Sequence, residues 1–119
     1  MKKTVPKPKR ISRLKKKADT TVQNYFRSLT LDCAAGCGNI ATVMHHHVPK
    51  SRSSFLRYDG KNLVPLCQGC HYLHHQKGTD PNVSFKYRKT LDEDYLMENQ
   101  HTYKKFTEEE LKEIIVQFT

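Results

Sequence analysis

Two pairs of cysteines and two runs of histidines carry most of the chemistry open to this chain. Cys33 and Cys37 are separated by three residues and Cys67 and Cys70 by two, with 29 residues, 38–66, between the pairs. The first pair flanks a turn-like segment containing Gly36 and Gly38. Two such hooks present four thiolates as a tetrahedron, which suits a closed structural zinc site with no position left for water. Metal bound there supports folding rather than reaction. Four unrelated cysteines would not be expected to pair at both spacings, and a redox pair at Cys67–Cys70 lacks a thioredoxin-like context.

The histidines follow the same hooks. His45, His46 and His47 are consecutive, at the end of a segment that begins with the β-branched or apolar residues Ile40, Thr42 and Val43. On a strand His45 and His47 share one face and His46 points to the other, unless a local turn or bulge intervenes. A run of three histidines can also be a chance polar run. His71 and His75 lie four apart, directly after the second cysteine hook. On a helix they share a face and can grip one metal ion, with His74, three residues from His71, as the competing choice. The competing reading is an exposed polar helix.

Several elements must position these groups. Val22, Phe26 and Leu29 form an apolar stripe, so a helix capped by Asp19 or Thr20 is expected to run to about Leu29 and pack against the metal-bound core. Residues 40–47 and 62–66 are expected as short strands, and residues 70–76 as the start of a helix ended by Gly78 and Pro81. Between the strands, Val48 to Gly60 reads as a polar loop anchored by Phe55 and Leu56. Residues 83–100 are ambiguous, with a helix near 88–99. A last helix, about 107–118, starts at a capping-box pattern, Thr107 with Glu110, and carries Leu111, Ile114, Ile115 and Phe118 on one face.

Charge is unevenly spread. The net charge is +9, yet residues 1–17 hold nine basic residues and no acidic one, leaving 12 basic and 12 acidic residues over the rest. Residues 1–18 are therefore expected as a basic flexible arm, with Pro6 and Pro8 opposing helix at its start and helix from Ser12 onward left open, ahead of a single domain over 19–119. Lys15, Lys16 and Lys17 in the arm suit a phosphate backbone, although a solvated tail is the plainer alternative. No apolar run is long enough for a membrane span, and no apolar segment follows the basic N-terminus as in a signal peptide. A cytoplasmic location is the default, and there paired cysteines are more often metal ligands than disulfides.

The order His45-His46-His47-Val48-Pro49, then Asn62-Leu63-Val64-Pro65-Leu66-Cys67-Gln68-Gly69-Cys70-His71, resembles the HNH (ββα-metal, His-Me finger) endonucleases, over a motif core of about residues 33–76. The stretch Ser51 to Asp59 with Asn62 is also similar to phage recombination nucleases of the NinG (Rap) kind, which would put the chain in a host cytoplasm. The resemblance implies an α+β fold, a small zinc-braced ββα-metal finger with flanking helices. It implies His46 as general base, Asn62 as the residue that ties the loop and helps orient the base, and His45, His71 and His75 as ligands of a catalytic divalent ion (Mg²⁺, Mn²⁺, Ni²⁺ or Zn²⁺). Cys33, Cys37, Cys67 and Cys70 would hold a structural Zn²⁺. DNA is the expected partner, contacted by Lys50, Arg52 and Arg57 of the intervening loop. The three-residue gap in the first hook and His47, where relatives usually carry an apolar residue, depart from the pattern. The expected activity is metal-dependent phosphodiester hydrolysis. A non-catalytic zinc-containing DNA-binding module, or a protein-interaction module, would leave the histidines without a role.

Overall fold

Two short antiparallel strands, β1 (Val43–His46) and β2 (Leu63–Leu66), hold the centre of the protein, with His45 opposite Val64 and His46 opposite Leu63. The structure is a computed structural model and describes residues 5–76 and 81–119. Around the strands lie five helices: α1 (Lys7–Ser28), α2 (Gln68–Gln76), α3 (Pro81–Arg88), α4 (Glu93–Asn99) and α5 (Glu108–Gln117). The fold is thus a small mixed α+β arrangement, as expected.

A two-stranded ribbon is marginal in water unless its faces and edges are covered. Here both edges are satisfied by other segments. The Gln23 side-chain amide of α1 donates to the Met44 carbonyl at 2.7 Å and accepts from the Met44 N–H at 3.1 Å. On the outer edge of β2, the Pro65 carbonyl accepts from the Ala34 N–H at 2.7 Å.

The alternation of the strands sends side chains into two cores. Met44 and Leu63 pack with Ala18 and Val22 of α1, Tyr58, and Leu111 of α5, flanked by Ile11, Leu14, Phe26, Ile114, Ile115 and Phe118. Val64 and Leu66 face the other way, onto Cys33, Cys67, Val83 and Tyr87. A third cluster, Val48, Leu56 and Leu96, fastens the loop between the strands to α4, with Phe55 packed against it. The expected anchoring of that loop by Phe55 and Leu56 therefore holds.

The N-terminal segment differs most from expectation. In place of an irregular arm over 1–18, helix begins at Lys7, with Pro8 in its first turn. Proline is tolerated there because first-turn N–H groups have no helical acceptor in any case. Ile11, Leu14 and Ala18 extend the stripe of Val22 and Phe26 by about three turns, so burial against α5 favours helix despite the crowded lysines. Asp19 is consequently mid-helix rather than a cap, and Leu29 lies exposed just beyond the helix end. Toward the C-terminus, the ambiguous stretch resolves into α3 and α4, with Asp92 capping α4. Pro81 opens α3 rather than marking a helix end, and Gly78 lies outside the described residues. The capping box of α5 is formed on both sides: Thr107 accepts from the Glu110 N–H, and Glu110 accepts from the Thr107 N–H, each at 3.1 Å. No helix among the described residues is long and apolar enough to cross a membrane.

Candidate metal and catalytic centre

The two cysteine hooks meet. The sulfur atoms of Cys33, Cys37, Cys67 and Cys70 all lie within 4.8 Å of one another, and those of Cys37 and Cys67 are 3.5 Å apart. Tetrahedral zinc with Zn–S bonds of about 2.3 Å requires sulfur–sulfur separations of about 3.8 Å, so the quartet fits that ion. The first hook turns through Gly36 and Gly38, at φ 71° and 87°, a region side chains with a Cβ resist. The three-residue spacing of this hook is accommodated by that turn. The second hook runs straight into α2. The Cys70 N–H points at the Cys67 sulfur, 3.4 Å away, and is the main reason the Cys67 thiol titrates down near 7. Burial pushes the Cys33 and Cys70 thiols up. A metal here pins the first turn of α2 to the strand pair.

One and two turns further along α2, His71 and His75 face the strand. Their ring nitrogens and those of His45 lie within 4.8 Å of one another, with His75 Nε2 3.3 Å from His45 Nδ1. Tetrahedral zinc at about 2.05 Å from imidazole nitrogens places neighbouring nitrogens about 3.3 Å apart. The donor set therefore fits one divalent cation. His45 is buried, and its burial together with the crowding of His74, His75 and His71 pushes its pKa down to about 3. His71 shifts the same way for the same reasons. Neutral imidazoles are the ligand form. No carboxylate joins this group among the described residues. The His74 ring also packs on His45, with centroids 4.7 Å apart.

His46 points to the opposite face from His45, as strand alternation requires. Its Nε2 lies 2.8 Å from the Arg57 carbonyl oxygen. A carbonyl only accepts, so the hydrogen resides on Nε2 and Nδ1 carries the lone pair. Burial holds the His46 pKa below its ordinary value, against the opposing pull of that hydrogen bond. Asn62 is fully buried and clamps the loop. Its Oδ1 accepts from the Val48 N–H at 2.7 Å, and its Nδ2 donates to the Val48 carbonyl at 2.9 Å and to the Leu56 carbonyl at 3.4 Å. These bonds tie the loop, and the Arg57 carbonyl, one residue past the clamp, holds the His46 imidazole.

Arg57 itself departs from the expectation of a phosphate contact. Its guanidinium grips Asp19 of α1 through Nε to Oδ1 at 3.0 Å and Nη2 to Oδ2 at 2.6 Å. Half-buried and held by both oxygens of one carboxylate, it is committed within the protein, whereas Lys50 approaches the same carboxylate only at 3.9 Å. Arg52 lies exposed on the rim of a cleft of about 600 Å³. His45, His46, His47 and His75 all line that cleft. Lys16 and Lys17 are exposed on α1, and Lys15 is half-buried toward Phe106.

Sequence spacing does not reach Gln23, Asp19 or Tyr87, because each acts across the fold. The one trace is a lone acidic residue, Asp19, closing the basic run.

Residues 32–77 match the family model described as HNH endonuclease. That span contains both cysteine hooks, both strands and the whole of α2. Over this segment the chain is similar to the HNH endonucleases, a class that acts on nucleic acids with divalent metals. No curated protein and no solved structure matches the chain.

Proposed function

We propose that the protein is a metal-dependent DNA endonuclease that hydrolyses phosphodiester bonds. The observation that carries this reading is the pairing of His46, with its Nδ1 lone pair kept for a proton, and a three-imidazole cluster of which His45 and His75 line the same cleft.

His45, His71 and His75 would hold the cation. When bound, a divalent ion there stabilises negative charge developing on phosphate oxygens. Three neutral ligands leave its charge undiminished, and imidazole favours Zn²⁺, Ni²⁺ or Mn²⁺ over Mg²⁺. His46 acts as general base. Its Nδ1 takes a proton from the water that attacks phosphorus in line, while the Arg57 carbonyl keeps the ring oriented and supports the positive charge it gains. A pKa below the ordinary histidine value keeps His46 unprotonated at neutral pH. Asn62 fixes the loop that carries this carbonyl. By likeness to the family the products carry a 5′ phosphate and a 3′ hydroxyl. Cys33, Cys37, Cys67 and Cys70 would hold zinc for structure, since four thiolates close its coordination sphere.

Plasmid cleavage by the wild type and by His46→Ala tests the reading, each zinc-loaded and supplied with Mg²⁺, Mn²⁺, Ni²⁺ or Zn²⁺. The wild type is expected to nick or linearise the plasmid, and His46→Ala to lose at least about a hundredfold in rate while binding DNA unchanged. Full activity in the variant overturns the assignment. Binding without cleavage by either protein favours a zinc-containing DNA-binding module instead.

A further inference from the structure

His47 belongs neither to the three-imidazole cluster nor to the general base. Its Nδ1 lies 3.0 Å from the hydroxyl of Tyr87, which is 1% exposed on α3. A phenol O–H is a stronger donor than an imidazole N–H, so the phenol proton is directed to His47 Nδ1 and the imidazole keeps its own N–H on Nε2. Were the ring to gain a proton, Nε2 would still carry one, so it is a donor in either state. His47 lines the same cleft as His46 and His75, and so do two arginines, Arg52 and Arg88. Arg88 meets Glu93 only at 4.0 Å, with both side chains more than half exposed, so that pair leaves it available to an anion.

We infer that His47, held by Tyr87 and flanked by Arg52 and Arg88, forms a second anion subsite that binds a phosphodiester next to the one cleaved. This rests on the cleft being a nucleic-acid site. The chemistry supports an oxyanion in particular. One N–H and two guanidiniums line the cleft as donors, against a single carboxylate, Glu93, among its described lining residues. The buried Tyr87 hydroxyl fixes a ring that would otherwise turn freely, which a solvated surface histidine has no need of.

The test uses the full zinc-loaded chain with a short fluorescent DNA duplex, in the absence of other divalent metal so that no cleavage occurs. Wild type, His47→Leu, His47→Gln, Tyr87→Phe and the double variant Arg52→Ala/Arg88→Ala are compared by anisotropy, with circular dichroism as the check on folding. His47→Leu is expected to weaken binding about tenfold or more, and His47→Gln, which retains an N–H, to recover most of it. Tyr87→Phe is expected to give an intermediate loss. Nitrogen-15 histidine spectra are expected to show Nε2–H as the form of His47 in the wild type, and a mixture of tautomers in Tyr87→Phe. Equal Kd values for the wild type, a folded His47→Leu and the double arginine variant overturn the subsite. If the wild type binds with the expected pattern but cleaves no plasmid with any metal, the subsite stands and the nuclease reading fails. If the wild type cleaves and the His47 and arginine variants match it in both Kd and KM, the reverse holds.

Discussion

The carboxylate of Asp19 holds the guanidinium of Arg57 through two hydrogen bonds of 3.0 and 2.6 Å, and the backbone carbonyl of that same Arg57 accepts from His46. Helix α1 lies outside the HNH segment, yet it is tied in this way to the residue that orients the candidate base. Asp19→Asn keeps the shape and one acceptor but removes the charge. It is expected to lower the cleavage rate about tenfold, with KM and DNA affinity little changed, because what is lost is the alignment of His46 rather than a substrate contact. Asp19→Glu is expected to restore part of the rate. A variant with unchanged kcat would show that Asn62 alone suffices to hold the Arg57 carbonyl.

The zinc site and the histidine cluster share α2, so the first is expected to govern the second. Cys67 and Cys70 fix the first turn of that helix, and His71 and His75 follow on it. Cys70→Ser is expected to remove the structural zinc and to abolish ordered binding of a second metal, although no histidine is altered. Metal content by mass spectrometry under native conditions, together with the loss of a cooperative thermal transition, reads both effects. A variant that still binds Ni²⁺ at its histidines with wild-type affinity would uncouple the two sites.

The parts of this design that were legible in the sequence are those written in local spacing. The two cysteine hooks, the four-residue spacing of His71 and His75, and the Thr107–Glu110 cap of α5 depend on neighbours a few residues apart, and the structure brings each of these sets together. The helical run from Lys7 was hidden because prolines and lysines argue against helix locally. What favours helix is burial of Ile11, Leu14 and Ala18 against α5, about a hundred residues away in sequence. The loop position of Arg57 suggests a phosphate contact, and its partner Asp19, 38 residues earlier, leaves no local signal. Strand alternation separated His46 from His45 correctly, but nothing local announced that a buried tyrosine of α3 would hold His47.

Burial also sets a pH dependence. The folded pKa of His45 is pushed down to about 3, while in the unfolded chain it titrates near 6.5. The unfolded state therefore binds more protons between these values, and stability is lost as pH falls below about 6.5. His46, His47 and His71 shift in the same direction and add to the loss. Lowering the pH from 6.5 to 5 is expected to cost about 2 kcal/mol through His45 alone. Urea unfolding of the wild type and of His45→Gln at pH 5, 6 and 7 checks this, the variant being expected to show the shallower dependence. Parallel curves would mean that His45 is as readily protonated folded as unfolded.

Within the histidine cluster, the geometry distinguishes two neighbours that sequence spacing left open. His75 joins His45 and His71 with all donor atoms within 4.8 Å, while His74 lies against the His45 ring. His75→Ala is expected to weaken second-metal binding by more than about a hundredfold, beyond the usual cost of losing an outer partner of a ligand. His74→Ala is expected to cost about tenfold or less. Calorimetric titration of Ni²⁺ into zinc-loaded protein measures both, and equal losses would place His74 among the ligands.

The last expectation concerns how α1 meets DNA. Deleting the basic segment would also delete Ile11, Leu14 and part of the helix that packs on α5, so truncation would confound binding with folding. Point substitutions avoid this. Lys16 and Lys17 are exposed on α1 away from its buried stripe, and Arg57 is engaged by Asp19. If the exposed pair neutralises two phosphates, Lys16→Ala/Lys17→Ala should lower the slope of log K against log salt by about 1.8, with no change in thermal stability. Arg57→Ala should instead reduce the cleavage rate and stability while leaving that slope nearly unchanged, since its charge is spent on a carboxylate. Anisotropy at several salt concentrations separates the two. A slope that falls with Arg57→Ala and not with the lysines would mean that the Asp19 pair opens when DNA binds.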